Sequence, residues 1–105
     1  MIKLPGPIAV YFDPTNSSAD KALAFDENAL VGDENRKHHG RREIQKWMIE
    51  GKQKYRFTAE PIEIVETPDQ VLVKAKVSGN FPNSPVELDY RFELVNDKIA
   101  TLSIR

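Results

Sequence analysis

The chain has 105 residues, 40% hydrophobic and 30% charged, which suits one soluble domain built on one core. Its net charge of −1 excludes a global field toward nucleic acid or an anionic membrane, and the absence of cysteine excludes disulfides, thiolate catalysis and cysteine-ligated metal. No apolar run approaches the roughly 20 residues that cross a bilayer, and the opening MIKLPGPIAV lacks a signal-peptide core, so a cytoplasmic address is expected.

Pro5 and Pro7 suit a helix start, because the first turn has no partners for its N–H groups. Ile8, Tyr11 and Phe12 then give one apolar face, and Pro14 with Thr15, Asn16, Ser17 and Ser18 ends that helix. Ser17 followed by Asp20 resembles a capping box and opens a second helix through Lys21 to Phe25. Asp26, Glu27 and Asn28 break it, and Ala29 to Asp33 reads as one strand, followed by a basic loop. The third helix starts at Gly40, with Glu43 in its first turn and a stripe of Ile44, Trp47, Met48, Gly51 and Tyr55. Gly51 in that stripe suggests a close approach by another backbone, or a point where the helix frays.

From Arg56 onward the period drops to two. Four strands are predicted, Arg56 to Val65, Gln70 to Asn80, Val86 to Val95 and Lys98 to Ile104, joined by connections short enough for antiparallel pairing. Val71, Val73, Ala75 and Val77 share a face with Leu88, Tyr90, Phe92 and Leu94; Lys74 and Lys76 lie opposite, as do Glu87, Asp89, Arg91 and Glu93. One face is therefore apolar and under helices, the other charged and in water. Residues 1–105 read as a single α+β domain of order α-α-β-α-β-β-β-β.

Arg36, Lys37, His38, His39, Arg41 and Arg42 crowd the approach to the third helix, where an anion would relieve their opposition to the helix dipole. The plainer reading is a solvated loop, and without interleaved aromatics it gives no nucleic-acid platform. Adjacent histidines diverge, so His38 and His39 do not supply the three or four converging ligands of a tight zinc site, and no metal is expected. Phe81, in the proline-rich segment Asn80 to Pro85, suits a lid or dimer contact if exposed and a plug if buried.

Together, several of these residues resemble the nuclear transport factor 2-like superfamily, and within it the SnoaL-like branch. The carriers are Tyr11-Phe12 with Asn16, then Phe25 with Ala29, Leu30, Val31 and Asp33, then Gly40-Arg41 with Ile44 and Trp47, and finally Tyr90-Arg91-Phe92 with Asp97-Lys98-Ile99. The resemblance implies a cone, three N-terminal helices packed on a curved and mostly antiparallel sheet, with any ligand at the mouth. It does not imply one reaction, because the superfamily holds isomerases, dehydratases, cyclases, hydrolases and binding modules.

Asp33 resembles the carboxylate base of ketosteroid isomerases and Tyr11 their oxyanion-donating tyrosine. The resemblance implies a third, protonated acid, which falls on Asp89 in one alignment and on Leu88 in another; the face analysis sides with Leu88. His38 could line the mouth near Asp33 as an acid or donor, and Phe25, Trp47, Tyr55, Tyr90 and Phe92 would wall the pocket. Some relatives carry pocket-closing residues in a further C-terminal segment, which is not expected after Arg105. Two functions follow: a module holding a small apolar ligand, or a cofactor-free isomerase, dehydratase or hydrolase-type enzyme. The resemblance also implies a homodimer, here with a polar interface or contacts through Leu72 and Phe81.

Overall fold

A computed structural model describes residues 3–105. Nine elements follow in order: α1 (Gly6–Phe12), α2 (Ser18–Ala22), β1 (Phe25–Asp33), β2 (Arg36–His39), α3 (Arg41–Tyr55), β3 (Thr58–Glu66), β4 (Val71–Ser78), β5 (Val86–Val95) and β6 (Lys98–Ile104). The strands form one sheet in the order β2-β1-β6-β5-β4-β3. Every pairing is antiparallel except β1 with β6, where the meander from β3 to β6 comes back alongside β1.

The helices start where local chemistry permits. Proline occupies the first turn of α1, and the Ser17 hydroxyl accepts the Asp20 N–H at the start of α2. Gly40, with φ of 87°, turns the chain from β2 into α3 in a conformation that side chains rarely adopt.

Strands β3 and β4 differ from the sequence reading by one or two residues at their ends, and three features differ more. Phe25 opens β1 and does not close α2, because Asp26, Glu27 and Asn28 form an irregularity inside the strand. The Asp26 carboxylate accepts the Asn28 N–H at 3.0 Å, so the local turn is accommodated and pairing with β6 resumes at Leu30. The expected basic loop is strand β2, which adds an element to the predicted order. Glu34 and Asn35, both with positive φ, make the tight hairpin between β1 and β2. Finally, α3 continues through Gly51 to Tyr55, and the Phe57 ring, not a backbone, covers that glycine.

The two faces are as the alternation implied. Val71, Val73, Ala75 and Val77 of β4 are buried with Tyr90 and Phe92 of β5. On the opposite face Lys74 stands across from Asp89 on one side and Glu63 on the other, and Lys76 stands between Glu87 and Glu60. The core joins this sheet face to Ile8, Tyr11 and Phe12 of α1, Ile44 of α3, and Ile99 and Leu102 of β6.

Of the five glycines, Gly79 permits the closest approach. A Cβ there would lie 2.7 Å from the Tyr55 carbonyl oxygen and 2.9 Å from the Phe57 Cα, both backbone atoms. The neighbouring Asn80 N–H donates to that same Tyr55 carbonyl at 2.7 Å, so the contact pins the end of α3 to the end of β4. Gly79→Ala is expected to cost about 1–3 kcal/mol through overpacking. Denaturant unfolding checks this: an unchanged midpoint would mean that the segment shifts freely.

Candidate functional site

The site is built where β1 ends against α3. Register places Val31 opposite His38 and Asp33 opposite Arg36, so these four side chains share the sheet face under α3. His39 pairs with Leu30 and therefore points to the other face, as adjacent residues of a strand must. One turn into α3, Trp47 meets this row. Its indole N–H donates to Oδ2 of Asp33 at 3.1 Å, and the His38 ring stacks on it at 5.7 Å with 28° between planes.

Asp33 is half-buried, and loss of hydration pushes its carboxyl above the ordinary carboxylate value. The Trp47 N–H opposes that rise, Glu34 reinforces it, and His38 and the Glu34 backbone oppose it more weakly. The charge of Asp33 also reaches two phenols. Tyr11 is held well above the usual tyrosine range, first by burial and then by Tyr90 and Asp33. Tyr90 is raised by burial and then by Asp33. Both phenols keep their protons at neutral pH and can donate hydrogen bonds. Asp33, Tyr11 and Tyr90 thus share one electrostatic neighbourhood contributed by β1, α1 and β5.

Behind Tyr11 the interior is packed with rings. Its centroid lies 5.1 Å from Phe12, 5.9 Å from Phe92, 6.0 Å from Phe25 and 6.2 Å from Tyr90, three of these contacts edge-to-face. Phe25 and Phe92 are fully buried, so the structure places these two expected wall residues in the core. Tyr55 lies at the end of α3, where its hydroxyl donates to Glu34 at 3.2 Å and its ring meets Phe81 at 6.0 Å. Phe81 is half-buried against the core and plugs that end. Leu88 packs on the core while Asp89 is exposed on the outer face, as the face analysis expected.

The basic cluster divides. The Arg41 guanidinium donates through Nε to the Phe25 carbonyl at 2.8 Å, a structural tie between α3 and β1. Arg36, Lys37 and His38 line a groove of about 350 Å³ against Glu43, Lys46, Trp47 and Glu50 of α3. The sequence reading treated Trp47 and Tyr90 as wall residues and missed their polar ends. The alternation in β5 gave the face of Tyr90, but only the sheet order brings that strand across from α1. Lys21, read only as a helix residue, brings its ammonium to 5.8 Å from the centre of the Tyr11 ring.

No helix among the described residues is long and apolar enough to cross a membrane. No protein-family model and no curated protein matches the chain. Among solved structures, a candidate polyketide cyclase from Sinorhizobium meliloti is 38% identical, with a TM-score of 0.93 over 97% of this chain and 95% of that one. A ketosteroid isomerase-like protein from Catenulispora acidiphila, in complex with trimethylamine, superposes with a TM-score of 0.81 at 12% identity, covering 98% of this chain and 86% of that one. An NTF2-like protein of unknown function from Cytophaga hutchinsonii gives 0.76 at 13% identity, covering 100% and 93%. The last two speak to fold alone, whereas the first shares sequence along nearly its whole length; with the cone, the helix order and the parallel return of β6, this chain belongs to the SnoaL-like, NTF2-like superfamily.

Proposed function

We infer that this protein takes a small, largely apolar carbonyl compound at the mouth of the cone and performs acid–base chemistry on it without a cofactor. One observation carries the reading: Asp33 stands half-buried at the exit of β1 with Oδ2 held by the Trp47 N–H, and burial raises its proton affinity. Asp33 would take a proton from the carbon next to the carbonyl, and Tyr11 would donate a hydrogen bond to the oxygen as the enolate forms. Tyr90 would be a second donor to that oxygen. Carbonyl chemistry of this kind also suits kinship with a candidate polyketide cyclase.

A second reading is favoured by the ring-packed interior. Phe25 and Phe92 leave no exposed surface of their own to a ligand, so a shallow mouth could hold a small apolar molecule without turning it over. A panel of small ketones and β-dicarbonyls separates the two. Proton exchange or rearrangement that wild type catalyses and Asp33→Asn does not would support the enzyme; binding with no turnover in wild type would leave the module.

In either case we read the protein as a cytoplasmic homodimer that pairs through the outer sheet face. That face carries a groove of about 230 Å³ lined by Glu63, Val65, Leu72, Lys74, Asp89, Arg91, Ser103 and Arg105. Mixed charges around two apolar side chains suit a polar interface, weakened by salt. Sedimentation should show a dimer that loosens as ionic strength rises; a tight dimer indifferent to salt would contradict this interface.

A further inference from the structure

The Asp33 carboxylate stands at the end of a strand beside a two-residue turn. A short acidic side chain there has free rotation about two bonds unless something holds it. Trp47 does. Its indole N–H reaches Oδ2 at 3.1 Å, and the His38 ring lies against the indole, 5.7 Å between centres and 28° between planes. The row is assembled from three elements. Asp33 comes from β1, His38 from the opposing strand β2, two positions along the register from Arg36, and Trp47 from the second turn of α3.

We propose that Trp47 is a positioning residue for Asp33: its indole N–H engages Oδ2 and turns Oδ1 toward the ligand, while His38 clamps the indole in that orientation. This deepens the proposed acid–base reading and rests on it for its catalytic meaning. A hydrogen bond donated to the ionised form also works against the desolvation that raises the proton affinity of Asp33. Trp47 therefore lets the base stay ionised to lower pH than burial alone would allow. His38 acts in the same direction through its charge, and Glu34 acts against it. Other ionisable groups that bear on the trio are Arg36 and Lys37 of β2, Glu43, Lys46 and Glu50 of α3, Tyr11 of α1 and Tyr90 of β5.

The chain holds a single tryptophan, so one indole N–H resonance and one fluorophore report on the contact. In wild type, both signals are expected to titrate with the midpoint of the Asp33 carboxyl carbon, followed separately by NMR. In Asp33→Asn the step at that midpoint should vanish while the indole remains ordered. In Trp47→Phe the Asp33 midpoint should move further up, and wherever turnover exists the acidic limb of kcat/KM should move up with it. His38→Ala should speed solvent exchange of the indole N–H. An indole step at the Asp33 midpoint that persists in Asp33→Asn overturns the proposal, as does an Asp33 midpoint unmoved in Trp47→Phe. A separate step from the stacked His38 is removed in the His38→Ala background. Should Trp47→Phe fail to fold, the Asp33→Asn comparison decides alone. Wild type without turnover on any carbonyl compound would sink the enzymatic reading and leave these spectroscopic outcomes as they are, so the two failures are told apart.

Discussion

Asp33→Asn is expected to lower carbonyl turnover by on the order of 10²-fold or more, the usual worth of a positioned general base. The asparagine keeps the shape and can still accept the Trp47 N–H through its carbonyl, but it cannot take a proton. Tyr11→Phe should lower turnover by a comparable factor through loss of the oxyanion donor. Steady-state kinetics on the best compound of the panel checks both, and a variant retaining wild-type kcat/KM would remove that residue from the mechanism. Stability should move the other way. Asp33 has a folded-state pKa above its unfolded value, so the folded protein binds the proton more tightly than the unfolded chain does. Its ionised form therefore costs stability above the raised midpoint, and that cost is relieved as pH falls through it. Asp33→Asn removes the cost at neutral pH, and the variant should melt no lower than wild type at pH 7. A large drop in Tm would mean that the carboxylate is a structural partner and not a strained functional group.

The second large effect lies in the core. Phe92 is fully buried, stands opposite Val71 on one side and Leu102 on the other, and stacks on Tyr90 while meeting Tyr11 and Phe12 edge-on. Phe92→Ala removes a ring that four structural elements share and should cost about 3–5 kcal/mol, the transfer and cavity terms together. For a domain of this size that lowers Tm by more than about 10 °C, readable by calorimetry. Its neighbour Glu93 faces the opposite side, and Glu93→Ala should stay within about 0.5 kcal/mol. Glu93 is not among the residues lining the groove proposed for pairing, so similar losses at both positions would mean that the interface reaches beyond that groove.

Much of this fold is written in periodicity. The step from helical spacing in Ile44, Trp47 and Met48 to strict alternation in β4 and β5 reflects two different backbone repeats, and each repeat acts locally. Val86–Val95 and Lys98–Ile104 coincide with the strands read from sequence, because Asn96 and Asp97 tolerate the left-handed turn between them. Local chemistry misled where two weak signals competed. Asp26, Glu27 and Asn28 look like the end of a helix, yet β6 supplies a partner on both sides of the irregularity and they lie inside strand β1. Arg36 to His39 looks like a solvated loop by composition, yet a tight Glu34-Asn35 turn folds it back onto β1 as an edge strand, where exposed charge is well suited.

By itself, then, the sequence determined the helix starts at Pro5, Ser17 and Gly40, the apolar and charged faces of β4 and β5, and the identity of Asp33 and Tyr11 as a candidate pair through family resemblance. These rest on propensity and on spacing within single elements. Only the tertiary structure decided that Trp47 donates to Asp33, that His38 stacks on that indole, and that Tyr90 joins Tyr11 within reach of the same charge. Each of those contacts joins residues from different elements, and its existence depends on sheet order and on the crossing of α3 over β1 and β2. No local rule encodes a distance between chain segments that meet only after the core has closed.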